Sequence, residues 1–218
     1  MLEALRKYFL SRRLILPILV EIVTISASRL SPRNVIYFMA GFYLFLIVYF
    51  APVFCSKPVR KGKKRRKDFL IHFFVTALAA LVAFFMRKYV LLLVQKSWHN
   101  DGVIDIVWKN NVGSIFFYAL TFMILMPLGE TLFFRFALIK LSSVREAVLS
   151  SIFSILLLLP LHADSIHGIL PVALPALAIT VCYCIFKNIY AVLAVYIIFC
   201  VHDSFENVAY SLARLYLR

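Results

Sequence analysis

Apolar positions along this chain come in long blocks, not in the short alternation of strands. Leu14 to Ala27 is the first block, interrupted by Glu21. Ser31-Pro32-Arg33-Asn34 reads as a turn. Val35 to Cys55 then supplies about the ~20 residues that a spanning helix needs. Phe69 to Met86 predicts a third span. Residues 87–111 are mixed, and Tyr89, Trp98 and Trp108 suggest an interfacial segment with aromatic anchors. Val112 to about Leu141 is one apolar stretch holding Glu130 and Arg135. Glu146 to Leu161, Ile169 to Phe186 and Ile189 to about Tyr210 complete the series. The pattern predicts an all-α, polytopic transmembrane helical bundle of about seven spans, within a range of six to eight. Residues 1–111 read as anchor helices and 112–218 as a helical core.

Composition agrees with that pattern. The 218 residues are 63% hydrophobic, against about 45–50% in a soluble domain. The net charge is +14, from 24 Lys and Arg against 10 Asp and Glu. In a soluble protein this would suggest nucleic acid. Here nucleic acid is excluded in favour of basic loops facing anionic lipid. The run KPVRKGKKRRK at 57–67 has eight basic residues in eleven. It reads as a cytosolic, positive-inside anchor, and more sharply as a regulatory site for anionic lipid.

Residues 1–13 are amphipathic and basic, and no small-residue cleavage site is evident, so the first helix reads as retained. With 57–67 in the cytosol, the N-terminus and the 142–145 and 187–188 turns are cytosolic. Each turn carries a basic residue, Arg145 and Lys187. The C-terminus then falls outside. Cys55, Cys182, Cys184 and Cys200 form no CxxC pair and read as small buried hydrophobes.

Ionisable groups inside spans are costly and mark function by default. Here they are Glu21, Glu130, Arg135, His162, His202, Asp203 and Glu206. Glu21 could serve function or sit near the interface. His72 and His99 read as interfacial, and His167 as a loop residue. At ~1.5 Å per residue, Glu130 lies ~16 Å, His162 ~24 Å and His202 ~20 Å from the cytosolic turns. Three acid–base groups thus reach the middle of a ~30 Å hydrocarbon core, with Pro160 as a candidate helix break. A carboxylate can take a proton from water as general base. An imidazole can hold that water or steady an oxyanion. Glu130, His162 and His202 could alternatively bind zinc, although HExxH is absent.

Residues 126–207 resemble the CPBP family of intramembrane proteases. These are the glutamate-type CAAX endopeptidases and their bacterial relatives, also called Abi proteins. The family pattern is EExxxR, then FxxxH, then HxxxN or HxxxD. Here the first motif reads Glu130-Thr131-Leu132-Phe133-Phe134-Arg135. The second reads Leu158-Leu159-Pro160-Leu161-His162, with Leu in place of Phe. The third reads His202-Asp203-Ser204-Phe205-Glu206, followed by Asn207.

The resemblance implies that Glu130 activates water with help from His162. It implies that His202, with Glu206 or Asn207, stabilises the oxyanion. No cofactor is implied. The expected partners are membrane lipids and a peptide or protein substrate, with or without a lipid group. The expected location is a bacterial plasma membrane or the eukaryotic endoplasmic reticulum. Two departures follow from the motifs. Thr131 replaces the family's second acid, so Arg135 is expected to pair with Glu206 instead. Asn207 then becomes the better oxyanion donor, with Asp203 able to orient His202. A catalytically silent scaffold or immunity protein on the same fold, and a transporter using the buried acid as a proton site, are the other classes.

Overall fold

The structure, a computed structural model, describes residues 12–55, 63–98 and 111–216. Among them there are seven long helices and no β-strand. They are α1 (Arg12–Leu30), α2 (Val35–Cys55), α3 (Lys63–Trp98), α4 (Val112–Ala137), α5 (Val144–His162), α6 (Ile169–Phe186) and α7 (Ile189–Tyr216). All but α1 are long and apolar enough to cross a membrane. α1 has 19 residues but carries Arg12, Arg13, Glu21 and Arg29. The chain is an integral, multi-pass, all-α membrane protein. A helix satisfies its own backbone groups, which lipid cannot do. Large apolar side chains on every helix remain exposed, such as Leu44, Val48, Phe74, Phe85 and Val181. That surface faces lipid.

The expected spans match the helices closely at α2 and α6, where both bounds agree. α3 differs. It continues through Arg87 and Lys88 to Trp98, where the pattern suggested an interfacial segment. Its sequence contains no Gly or Pro from 63 to 98. Charged side chains interrupt an apolar pattern without interrupting the backbone ladder. The rest of that segment, with His99 and Trp108, lies outside the described residues, as do 1–11 and 56–62. Most of the basic run at 57–67 therefore falls outside too. α7 extends six residues beyond the expected end, and α4 stops at Ala137. Cys55 differs as well, being exposed at the end of α2, whereas Cys182 and Cys200 are buried.

By packing, the described chain divides into two compact units. The first takes its residues from 1–58, 106–133 and 196–218. In it α2 is the central helix, packed on α1 and on the middle of α4. Its buried face is Val35, Met39, Phe42, Tyr43, Leu46 and Phe50, at helical spacing. Phe50 stacks on Phe133 with ring centroids 5.7 Å apart. The second unit takes 59–105 and 134–195. There α6 packs along α3 and against α5.

Caps and turns follow the sequence. Asn111 caps α4 by accepting a bond from Ser114 N at 2.8 Å. Ser143 caps α5 by accepting from Glu146 N at 3.2 Å. Lys140 Nζ and Glu146 close the α4–α5 turn at 2.9 Å. α6 ends at Lys187, in the left-handed conformation at φ 52°. Asn188 Nδ2 then hydrogen-bonds His72 Nδ1 at 3.2 Å, and the His72 ring stacks on Phe186. Replacing a good N-cap by alanine costs about 1 kcal/mol. Asn111→Ala is therefore expected to lower stability by about that amount in a detergent-based unfolding titration.

Candidate functional site

The first unit carries the clearest polar centre, and α4 builds it. α4 is not one regular helix. It runs α-helical over Val112–Ala119, π-helical over Leu120–Leu125, α-helical over Met126–Glu130 and π-helical over Thr131–Ala137. Pro127 gives a physical reason for the first wide turn. It lacks an N–H, and its ring would crowd the carbonyl four residues back in a regular α-helix. The Met126 N–H instead reaches back five residues to Thr121 O. π turns occur often at functional sites. Here they bracket Glu130.

Gly129 brings α2 and α4 into close contact. A β-carbon there would lie 3.2 Å from both the Tyr43 Cα and the Tyr43 carbonyl oxygen. A side chain there would push the neighbouring backbone away by a few tenths of an ångström. The close approach places the Tyr43 ring beside the next residue, and Tyr43 Oη donates to Glu130 Oε1 at 3.1 Å. Tyr196, on α7, donates to Glu130 Oε2. Glu130 is 0% exposed, and so is Tyr43. Both carboxylate oxygens are thus held by phenols from two other helices.

Glu21 is the other buried acid of this unit, at 1% exposure. It belongs to the inward seam of α1, which reads Leu14, Pro17, Glu21, Thr24 and Ser28 at alternating steps of three and four.

The α7 residues divide by face. Ala191, Val192, Val195, Cys200, Ser204 and Ser211 are buried, and Tyr196 is half-buried. Asn207 Nδ2 donates to Tyr118 Oη at 3.3 Å. His202 is exposed, as are Asp203 and Glu206. At 3.6 residues per turn, six residues separate His202 from Tyr196 by roughly 120° around the helix. His202 therefore does not share the face that reaches Glu130.

Other expected site residues fall as follows. Thr131 is buried, and its hydroxyl makes no hydrogen bond among the described residues. Arg135 and His162 belong to the second unit. Arg135 is 1% exposed and His162, the last residue of α5, is half-buried. Pro160 sits in the last turn of α5, two residues before its end. Glu206, expected to pair with Arg135, is exposed on α7 in the first unit. No three His, Cys, Asp or Glu side chains among the described residues are grouped to hold a metal ion. The zinc alternative with Glu130, His162 and His202 thus has no ligand set there.

Tyr43 and Tyr196 are the residues that sequence reading missed. Buried tyrosines usually find a hydrogen-bond partner, and aromatic belts sit at span ends, not centres. Tyr43 is near the middle of α2, and that position is the signal. Tyr196→Phe removes one donor and leaves a buried acceptor unmatched, at a cost of about 1–3 kcal/mol. Unfolding of the purified variant should show that loss. The chain matches no protein-family model, no curated protein and no solved structure.

Proposed function

We propose that the chain is a membrane-embedded endopeptidase in which Glu130 activates water to hydrolyse a peptide bond. It would be of the kind known among CAAX-processing and bacteriocin- or peptide-processing proteases. One observation carries the reading: a fully buried carboxylate, fixed by two phenols and bracketed by π turns. Further support is the order Glu130, Arg135, His162 and His202 along the chain, which follows the motifs of that family.

The chemistry needs one base and one oxyanion site. Glu130 takes a proton from water as the water oxygen bonds to the scissile carbonyl carbon. By the family's motif order, the task of holding that water would fall to His162. The carbonyl π electrons move to oxygen, and the Asn207 amide, on the Tyr196 side of α7, stabilises the charge. Collapse breaks the C–N bond, and Glu130 returns the proton to the departing nitrogen. Tyr43 and Tyr196 orient the carboxylate, and one phenol yields its place when water enters. The substrate is a membrane-borne peptide or protein, with or without a lipid. A bacterial plasma membrane or the endoplasmic reticulum would hold such an enzyme.

A second reading is favoured by the closure of Glu130 beneath two phenols and by the outward His202. It is a catalytically silent scaffold or immunity protein that keeps the same buried centre. Reconstitution separates the two. The purified full chain in proteoliposomes, given a mixture of membrane peptides in heavy-oxygen water, should release products labelled at the new carboxyl terminus. Glu130→Gln and His162→Ala should release none while remaining folded. Equal cleavage by Glu130→Gln would remove Glu130 from the reaction, and no cleavage by any form would favour the scaffold.

A further inference from the structure

The turn between α6 and α7, in the second unit, is held by a hydrogen bond that a protonated imidazole nitrogen cannot make. Asn188 caps the start of α7. Its Oδ1 accepts from Ala191 N at 3.3 Å, and its carbonyl accepts from Val192 N at 3.3 Å. The oxygen and nitrogen of an amide are told apart by their partners. The Ala191 N–H fixes the oxygen on its own side, so Nδ2 is the atom that faces His72 Nδ1, at 3.2 Å. An amide NH₂ donates and does not accept. His72 Nδ1 must therefore present a lone pair, which leaves the ring hydrogen on Nε2.

The ring is also held in place. It stacks on Phe186 with centroids 4.5 Å apart and planes 20° apart. Phe186 and Asn188 flank Lys187, which sits in the left-handed region at φ 52°. A residue with a side chain seldom adopts that conformation and keeps it where neighbours hold it. His72 thus grips both sides of a turn that needs holding. His72 and Asn188 are half-buried, so water reaches the bond. The charged and titratable groups around it are Lys67 and Asp68 on α3, Lys187 at the turn and Tyr190 on α7, all exposed, with Cys182, Tyr183 and Cys184 deeper on α6. Lys187 repels a second positive charge beside it. Asp68, one turn before His72 on α3, attracts that charge away from the turn.

We propose that His72 and Asn188 form a proton-operated latch on the α6–α7 turn, closed while His72 Nδ1 is unprotonated and open once it takes up a proton. A proton on Nδ1 sets N–H against N–H. Rotating the amide would offer its oxygen to the ring, but it would then set the NH₂ against the Ala191 N–H and remove the cap of α7. One hydrogen bond at the turn is lost by either route. The bond is present at the alkaline end of the histidine range, about pH 5 to 8, and disappears as pH falls through it. The latch stands apart from the proteolytic reading, since it concerns the opening of a turn and not cleavage.

The test follows backbone hydrogen exchange of the purified full chain in detergent, over residues 186–192. Rates are taken at about pH 7.5 and about pH 5.5, on either side of the middle of that range, and each is divided by its intrinsic rate. Protection of this segment should fall roughly two- to tenfold in acid, as loss of one net hydrogen bond implies. His72→Gln keeps a side-chain acceptor at both pH values and should abolish the acid response. Asn188→Asp keeps the cap and gives a protonated Nδ1 a carboxylate to donate to, so its turn should be at least as protected in acid as at neutral pH. Equal protection of the unmodified chain at both pH values would overturn the proposal, and so would an undiminished acid response in His72→Gln. If His72→Gln fails to fold, Asn188→Asp decides: an acid loss as large as in the unmodified chain would overturn the latch.

Discussion

Glu130→Gln is expected to lower peptide hydrolysis by about 10²–10⁴-fold, the range that a positioned general base contributes. The fold should survive. Glutamine keeps the volume of glutamate, and its amide oxygen can still accept from one phenol. The other phenol, from Tyr43 or Tyr196, must then meet an NH₂ group and turn its own oxygen toward it. The combination to look for is an inactive protein with wild-type expression and a modest change in unfolding. A rate assay on proteoliposomes, paired with an unfolding curve for the same preparation, gives both quantities. A fully active Glu130→Gln would mean that this carboxylate has only a structural part.

Gly129→Val should do the opposite and damage the fold first. Its β-carbon would sit 3.2 Å from the Tyr43 backbone, where no flexible side chain can move aside. The helices must separate. Overpacking of this kind costs about 1–3 kcal/mol, and the Tyr43–Glu130 hydrogen bond is lost with it. Gly129→Ala meets the same atoms with less bulk and should lie between Val and the native residue. Gly41, also on α2, has nothing within 4 Å of a β-carbon. Gly41→Ala should therefore be nearly neutral in the same unfolding assay. Equal losses at both glycines would contradict a close contact specific to Gly129.

The helices were legible where turn chemistry brackets an apolar block. Ser31-Pro32 opens α2, and Lys187-Asn188 separates α6 from α7, so those bounds could be read directly. The far end of α3 could not. Arg87 and Lys88 end the apolar run but leave the backbone ladder intact. The π turns of α4 were hidden for a related reason. They shift the hydrogen-bond partner by one residue, and apart from Pro127 no residue type marks them.

The candidate centre was legible in part. Glu130 announces itself, because a carboxylate in the middle of an apolar span has few reasons to be there. Its partners do not. Tyr43 and Tyr196 are common residues in membrane helices, and only packing shows that their hydroxyls converge on one carboxylate. Spacing along α7 also misled. His202 and Tyr196 are close in sequence yet lie on different faces, and the buried face belongs to Cys200 and Ser204. Depth along a span is set by the rise per residue, whereas facing depends on the angle around the helix.

The most direct measurement compares new protein termini in membranes of cells carrying the unmodified chain or Glu130→Gln at equal expression. A catalytic Glu130 predicts a defined set of termini that is present with the unmodified chain and missing with the variant. The corresponding uncleaved precursors should accumulate. The same termini at the same abundance in both would contradict a Glu130 that activates water.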